Sequence, residues 1–102
     1  MLQQALMARP RQIAEEVAQL ARHILGPGIE VFWFGSWSKG TARPHADIDI
    51  AIAAAEAIPL QKMTALQDAI DDIPTLHEID LVDLHTVGET FGQEILRHGI
   101  RL

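Results

Sequence analysis

The stretch Val31–Ile52, VFWFGSWSKGTARPHADIDIAI, decides how the rest of the chain is organised. Its first four residues form an apolar run rich in β-forming side chains, which predicts a buried strand. Gly35-Ser36 ends that run, and the small polar residues that follow predict a tight turn or one short helical turn. From Asp47 to Ile50 a carboxylate alternates with an isoleucine, which predicts a second strand with both carboxylates on one face.

The two carboxylates of this second strand indicate a metal site. Asp47 and Asp49 lie two residues apart, so their charges repel and should raise the pKa of at least one of them. A divalent cation between them would remove the repulsion, and hard oxygen ligands suit Mg²⁺ or Mn²⁺. The Gly35-Ser36 turn before them lets backbone N–H groups approach an anion closely. Acids that hold metal beside an anion-binding turn are what transfer from a nucleoside triphosphate requires.

The spacing of these residues resembles a known motif. Ten residues separate Ser36 from Asp47, giving Gly-Ser-x10-Asp-x-Asp, which is similar to the defining motif of the DNA polymerase β-type nucleotidyltransferase superfamily. In so short a chain it looks most like the minimal nucleotidyltransferase (MNT) proteins. The resemblance implies that Asp47 and Asp49 bind Mg²⁺ or Mn²⁺ on the phosphates of ATP, and that Gly35 and Ser36 hold its terminal phosphates.

A third acid is expected on the strand that follows. Asp80 lies inside the apolar run LHEIDLVDL of residues 76–84, where a buried charge is costly unless it is paired or bound to metal. The superfamily carries a third metal-binding carboxylate on the matching strand, so the resemblance implies that Asp80 completes the site and assists deprotonation of the attacking hydroxyl. Asp83 has the opposite strand phase, and we expect Asp80 rather than Asp83 to face the metal.

Two cations and one aromatic residue lie near the predicted site. Lys39 and Arg43 are its only nearby cations, and each either contacts triphosphate oxygens or is ordinary surface charge. Trp37 follows the Gly-Ser turn, and we expect it to pack under the loop rather than to contact a base. The Arg43-Pro44 pair predicts the exit from the turn, and His45 is interpreted as a turn residue.

The remaining pattern alternates helices and strands. Helical spacing predicts a first helix from Pro10 to the stop at Gly26 and a second one that opens at Pro59. A capping box predicts a third helix from Thr86 that ends at Gly99, with a short edge strand after it. The order predicts an α/β fold, a small mixed β-sheet covered by helices, as in the polymerase β-type nucleotidyltransferase fold.

Composition narrows the class of protein. The 102 residues, 48% hydrophobic and 22% charged, predict a single minimal nucleotidyltransferase domain over residues 1–102. A net charge of −6 with only eight Lys and Arg argues against extended nucleic-acid binding. No apolar run is long enough to span a membrane, no signal peptide is visible and there is no cysteine, so we expect a cytoplasmic protein without a membrane partner.

The resemblance also implies a function. MNT proteins are commonly antitoxins of HEPN-type RNase toxins, and some transfer AMP from ATP to a toxin tyrosine. We therefore expect a metal-dependent protein adenylyltransferase that forms a hetero-oligomer with a cognate HEPN toxin. Two alternatives stay open at this point: an antitoxin that neutralises its toxin by binding alone, and a small-molecule nucleotidyltransferase. The short chain disfavours the second alternative, because such enzymes usually bring a further domain for their acceptor.

Overall fold

A computed structural model describes residues 2–43 and 46–102, with side chains from Ala8 onward. The predictions about Pro44 and His45 lie outside the described residues. The described elements are α1 Leu2–Leu25, β1 Glu30–Phe34, β2 Ile48–Ala53, α2 Leu60–Asp71, β3 Ile79–Asp83, α3 Glu89–His98 and β4 Ile100–Arg101.

The four strands form one mixed sheet in the order β3-β2-β1-β4. Strand β1 pairs antiparallel with β2 and with β4, whereas β2 and β3 run parallel. Parallel neighbours need a crossover connection, which α2 supplies here. The predicted α/β fold with a small mixed sheet is confirmed, and so is the short edge strand at the C-terminal end.

One face of the sheet carries the main hydrophobic core. Alternate residues of the strands point to this face and pack against α1 and α2. Helix α1 contributes side chains at helical spacing, and the most buried members of the cluster are Ile13, Val17, Val31, Trp33, Ile48, Ile50, Ile52, Leu66 and Ile70. This layer fixes the phase of every strand, and therefore decides which residues point to the other face.

The other face is only partly covered. Helix α3 lies over β1, where Ile95 packs against Phe32 and Ala51 in a second, smaller cluster. The β2 and β3 residues that share this face but lie toward their N-terminal ends are Asp49 and Asp80. The uncovered part of the sheet is thus the part that carries the acids.

The predicted boundaries of α1 and of β3 are wrong. Helix α1 begins at Leu2 and continues through Pro10, because residues 2–9 are strong helix formers and a proline removes only one helical hydrogen bond. Strand β3 spans five residues rather than residues 76–84, because its partner β2 offers pairing only as far as the register Ile48–Ile52.

The predicted capping box at the start of the third helix does not form. The Thr86 hydroxyl donates to the Asp83 carbonyl oxygen at 2.8 Å and closes a 3₁₀ turn at Leu84–Thr86. Helix α3 begins after Gly88, which caps it without a side-chain hydrogen bond, and Gly99 ends it as predicted. Among the described residues, none of the helices has both the length and the apolar character that crossing a bilayer requires.

Candidate active site

The geometry of the site begins with two carboxylates on neighbouring strands. Asp49 of β2 and Asp80 of β3 are partners in the parallel register, and their side chains share the sheet face that α3 leaves open. The two carboxyl groups are close enough that Asp80 raises the pKa of Asp49. Asp47 lies two residues upstream, just before β2 begins, and is exposed.

The electrostatics of Asp49 show that the two neighbouring acids act on it. Partial burial of Asp49 is the largest cause that raises its pKa, followed by the charges of Asp80 and Asp47 and by the hydrogen bond to Asp80. Together they raise the pKa of Asp49 from 3.8 to about 6. Like charges that crowd one site in this way are stabilised by a cation placed between them.

The Gly-Ser turn contacts the same carboxylate. Gly35 has a φ of +83°, and a Cβ atom at this position would collide with the Asp49 Oδ2 atom. Its carbonyl oxygen accepts hydrogen bonds from the Lys39 N–H at 3.2 Å and from the Ser38 hydroxyl at 2.9 Å, and the Ser36 carbonyl accepts from the Thr41 N–H at 3.0 Å. The turn is therefore one compact helical-type turn, and only glycine fits where it meets Asp49.

Gly35→Ala is expected to lower the free energy of unfolding by more than the left-handed backbone alone explains. The control is Gly26→Ala, because Gly26 also has positive φ, at +101°, but has nothing within 4 Å of an added Cβ. We expect about 1–2 kcal/mol of destabilisation from the backbone in both variants, and a further loss in Gly35→Ala from the displaced Asp49. Equal losses in denaturant unfolding would contradict this account of the turn.

The raised pKa of Asp49 predicts a pH-dependent stability in the metal-free protein. A folded-state pKa of about 6 against 3.8 means that the folded state binds the proton more tightly. The resulting stability is fully present below about pH 4 and is lost as the pH rises through 6. Asp49→Asn should therefore unfold like the wild type at pH 4 and be about 1–2 kcal/mol more stable at pH 7.5, after allowance for solvent screening. Thermal unfolding across this range in chelator tests it, and a constant difference would count against the charge crowding.

The two predicted cations have different positions. Lys39 and Arg43 are both exposed, and among the described residues neither pairs with a carboxylate. Lys39 lines a cavity of about 120 Å³ beside Gly35 and Ser38, whose other walls are formed mainly by Phe34, Phe91 and Ile95. Arg43 ends the described part of the turn. Both are free to meet an anion, and Lys39 lies next to the Gly-Ser turn.

The structure reverses the expected burial of the two aspartates on β3. Asp80 is exposed, because β3 is the edge strand and α3 does not reach it. Asp83 is the buried acid, at 5% exposure, and accepts from the Ile58 N–H at 2.8 Å and the His85 N–H at 2.9 Å. Asp83 thus joins the β2–α2 connection to β3 and does not share the face of Asp49, which agrees with the predicted strand phase.

Sequence reasoning missed one group near the acids. The Ala46 carbonyl oxygen, directly before Asp47, accepts from Trp37 Nε1 at 3.1 Å and lies 2.9 Å from His77 Nδ1. Trp37 is 3% exposed, which confirms that it packs under the loop. No spacing or composition in the sequence indicates His77, because it meets Ala46 only through the pairing of β2 with β3.

The acids fit a divalent cation by their chemistry. In the part of the chain that the structure describes, no three acidic or histidine side chains already form a closed metal cluster. Asp49 and Asp80 nevertheless touch, and the exposed Asp47 is near enough to act on Asp49. Three carboxylates supply only hard oxygen donors, which suits Mg²⁺ or Mn²⁺.

The fold and site together define a class. Residues 15–102 match the family model described as Polymerase beta, Nucleotidyltransferase. Because this match spans most of the sequence, the chain belongs to the polymerase β-type nucleotidyltransferase family.

Two relatives have a described activity that is narrower than the family description. The chain is 34% identical over 73 residues to a protein of Haemophilus influenzae described as a probable protein adenylyltransferase MntA, covering 72% of this chain. It is 32% identical over 76 residues to the protein adenylyltransferase MntA of Shewanella oneidensis, covering 71% of this chain. The matched regions span 63% and 51% of the lengths of these two relatives.

Solved structures agree with the fold. A structure provisionally described as a minimal nucleotidyltransferase superposes with a TM-score of 0.69 at 27% identity, covering 98% of this chain and 95% of that one. A toxin-antitoxin structure with AMP-PNP gives 0.64 at 28% identity, covering 86% and 70%. The Shewanella oneidensis MNT antitoxin in complex with a tri-AMPylated HEPN toxin gives 0.60 at 25% identity, covering 90% and 70%.

Proposed function

We propose that this chain is a metal-dependent protein adenylyltransferase that transfers AMP from ATP to a tyrosine hydroxyl of a HEPN-type toxin and thereby neutralises it. The observation that carries the proposal is the contact of Asp49 with both Asp80 and the Gly35 turn. Acids on two strands thus meet an anion-binding turn at one point. The similarity to MntA proteins and to an antitoxin bound to its AMPylated toxin supports this choice of acceptor.

The Gly-Ser turn and the two cations form the nucleotide side of the site. Gly35 has no side chain, so the Asp49 carboxylate packs directly against the backbone of the turn. Ser36 follows it and is half-buried. Lys39 and Arg43 are exposed near the turn and would neutralise the terminal phosphates and the departing pyrophosphate.

The three carboxylates form the catalytic side of the site. Asp47, Asp49 and Asp80 would hold Mg²⁺ or Mn²⁺, which when bound supplies positive charge against the phosphates in the transition state. Asp80 lies on the edge strand β3 and is exposed, so an incoming acceptor can reach it. We assign to Asp80 the acceptance of the hydroxyl proton. The hydroxyl oxygen bonds to the α-phosphorus, the bond from this phosphorus to the β-phosphate oxygen breaks, and pyrophosphate leaves.

The uncovered face explains why the acceptor belongs to another macromolecule. Helix α3 packs over β1 and Ala51 of β2, and Asp47 and Asp80 are both exposed. Among the described residues, no element closes over them. A tyrosine on a partner's surface can therefore reach the α-phosphate without any rearrangement of the sheet.

The first test is metal-dependent ATP binding, measured by calorimetry with and without MgCl₂. We expect wild-type protein to bind ATP only with the cation, and Asp49→Asn to bind at least about 10-fold more weakly, since even groups that merely support metal ligands cost that much. The control is Asp68→Asn, an exposed aspartate on α2, which should match wild type. Equal ATP affinity with and without divalent cation would contradict the proposed site.

A further inference from the structure

Asp47 lies outside the sheet, so something other than strand pairing must hold its backbone. The residue before it, Ala46, presents its carbonyl oxygen to Trp37 Nε1 at 3.1 Å and to His77 Nδ1 at 2.9 Å. The residue after it, Ile48, donates its N–H to the Glu78 carbonyl at 2.8 Å. The backbone is thus held on both sides of Asp47 while its side chain stays exposed.

The chemistry of the Ala46 carbonyl fixes the roles of its two partners. A carbonyl oxygen only accepts hydrogen bonds and has two lone pairs, so one is used by Trp37 and the other by His77. His77 must therefore carry a proton on Nδ1. The rings of Trp37 and His77 also pack edge to face, with centroids 5.9 Å apart. Trp37 and His77 therefore contact each other as well as the Ala46 carbonyl oxygen.

We infer that Trp37 and His77 are positioning residues that set the orientation of Asp47 toward the metal. The inference rests on the proposed function, because Asp47 matters here as a metal ligand. The two residues come from opposite sides of the site, one from the Gly-Ser turn and one from the segment that leads into β3. Through them the phosphate-binding turn, Asp47 and the strand of Asp80 are connected into one unit.

The same strand offers a matched control at its other end. His85 Nε2 lies 2.8 Å from the Ala54 carbonyl, which follows β2 as Ala46 precedes it. This contact has the same chemistry and the same sequence separation of 31 residues as the His77 contact. It lies at the end of β2 remote from Asp49, so its loss should leave the carboxylates in place.

The test compares His77→Leu, Trp37→Phe, His77→Asn and His85→Leu by the Mg²⁺ concentration that gives half-maximal ATP binding. We expect His77→Leu and Trp37→Phe to raise this concentration about 10-fold or more, as supporting contacts to metal ligands typically do. His77→Asn keeps an N–H donor near the position of Nδ1 and should recover most of the loss. His85→Leu should behave like wild type.

Two outcomes separate this inference from the proposed function. If Asp47→Asn loses Mg²⁺-dependent binding while His77→Leu keeps wild-type Mg²⁺ dependence, the positioning role is overturned and the function stands. If the wild type shows no metal-dependent ATP binding, the proposed function falls. The role of the His77–Ala46 contact is then tested by hydrogen exchange of the Ile48 amide. Faster exchange in His77→Leu but not in His85→Leu supports the inference that His77 holds the backbone beside Asp47. Equal exchange in the two variants overturns it.

Discussion

Asp80→Asn is expected to lower the rate of AMP transfer by about 100- to 10,000-fold, the range that a positioned general base contributes. The amide cannot accept the proton of the attacking hydroxyl. ATP binding should fall much less, because in the proposed site Asp47, Asp49 and the Gly35 turn would still contact the nucleotide's phosphates and cation. Single-turnover transfer together with calorimetry on the same preparations separates the two effects.

The control for this prediction is the neighbouring acid Asp83. Asp83→Asn offers one acceptor oxygen in place of two, so one of the two backbone N–H groups loses its acceptor, which should cost about 1–3 kcal/mol of unfolding free energy. Its rate of transfer per folded molecule should remain near that of wild type. The opposite result would be that Asp83→Asn abolishes transfer and Asp80→Asn does not. It would show that the other face of β3 points to the active site.

Much of the site was predictable because it depends on local patterns. Successive residues of a strand point to opposite faces of the sheet. Asp49 is flanked by Ile48 and Ile50, and Asp80 by Ile79 and Leu81, and these four side chains form or pack against the main core. The sequence therefore predicts that both aspartates point to the opposite face. The turn at Gly35 was predictable for a similar reason, since glycine between two apolar strands is typical of a turn. The sequence could not show that this glycine also touches Asp49.

What sequence could not show depends on contacts between distant segments. The burial of Asp83 is set by Ile58, 25 residues away, and the bond of His77 to Ala46 spans 31 residues. The failed capping box has a local origin instead, because the Thr86 hydroxyl donates to the Asp83 carbonyl in the 3₁₀ turn and helix α3 begins only after Gly88. The long-range contacts of Asp83 and His77 depend on how β2 pairs with β3, and no local sequence pattern predicts that pairing.

The fold of the double variant Asp47→Asn, Asp49→Asn should survive, which makes it the decisive reagent. Asp47 is exposed, Asp49 lies on the uncovered face, and amides remove the repulsion that raises the pKa of Asp49. The variant therefore tests chemistry without confounding it with unfolding. A thermal unfolding midpoint at or above that of the metal-free wild type checks this premise.

The most direct measurement of the central claim is the intact mass of the proposed HEPN-type toxin partner, after incubation with this protein, ATP and Mg²⁺. We expect the toxin to gain whole AMP units with wild-type protein and none with the double variant, and to stay inactive after this protein is removed. If no mass is added, and the double variant protects as well as wild type until the complex is dissociated, the protein neutralises its toxin by binding alone and the enzymatic account is wrong.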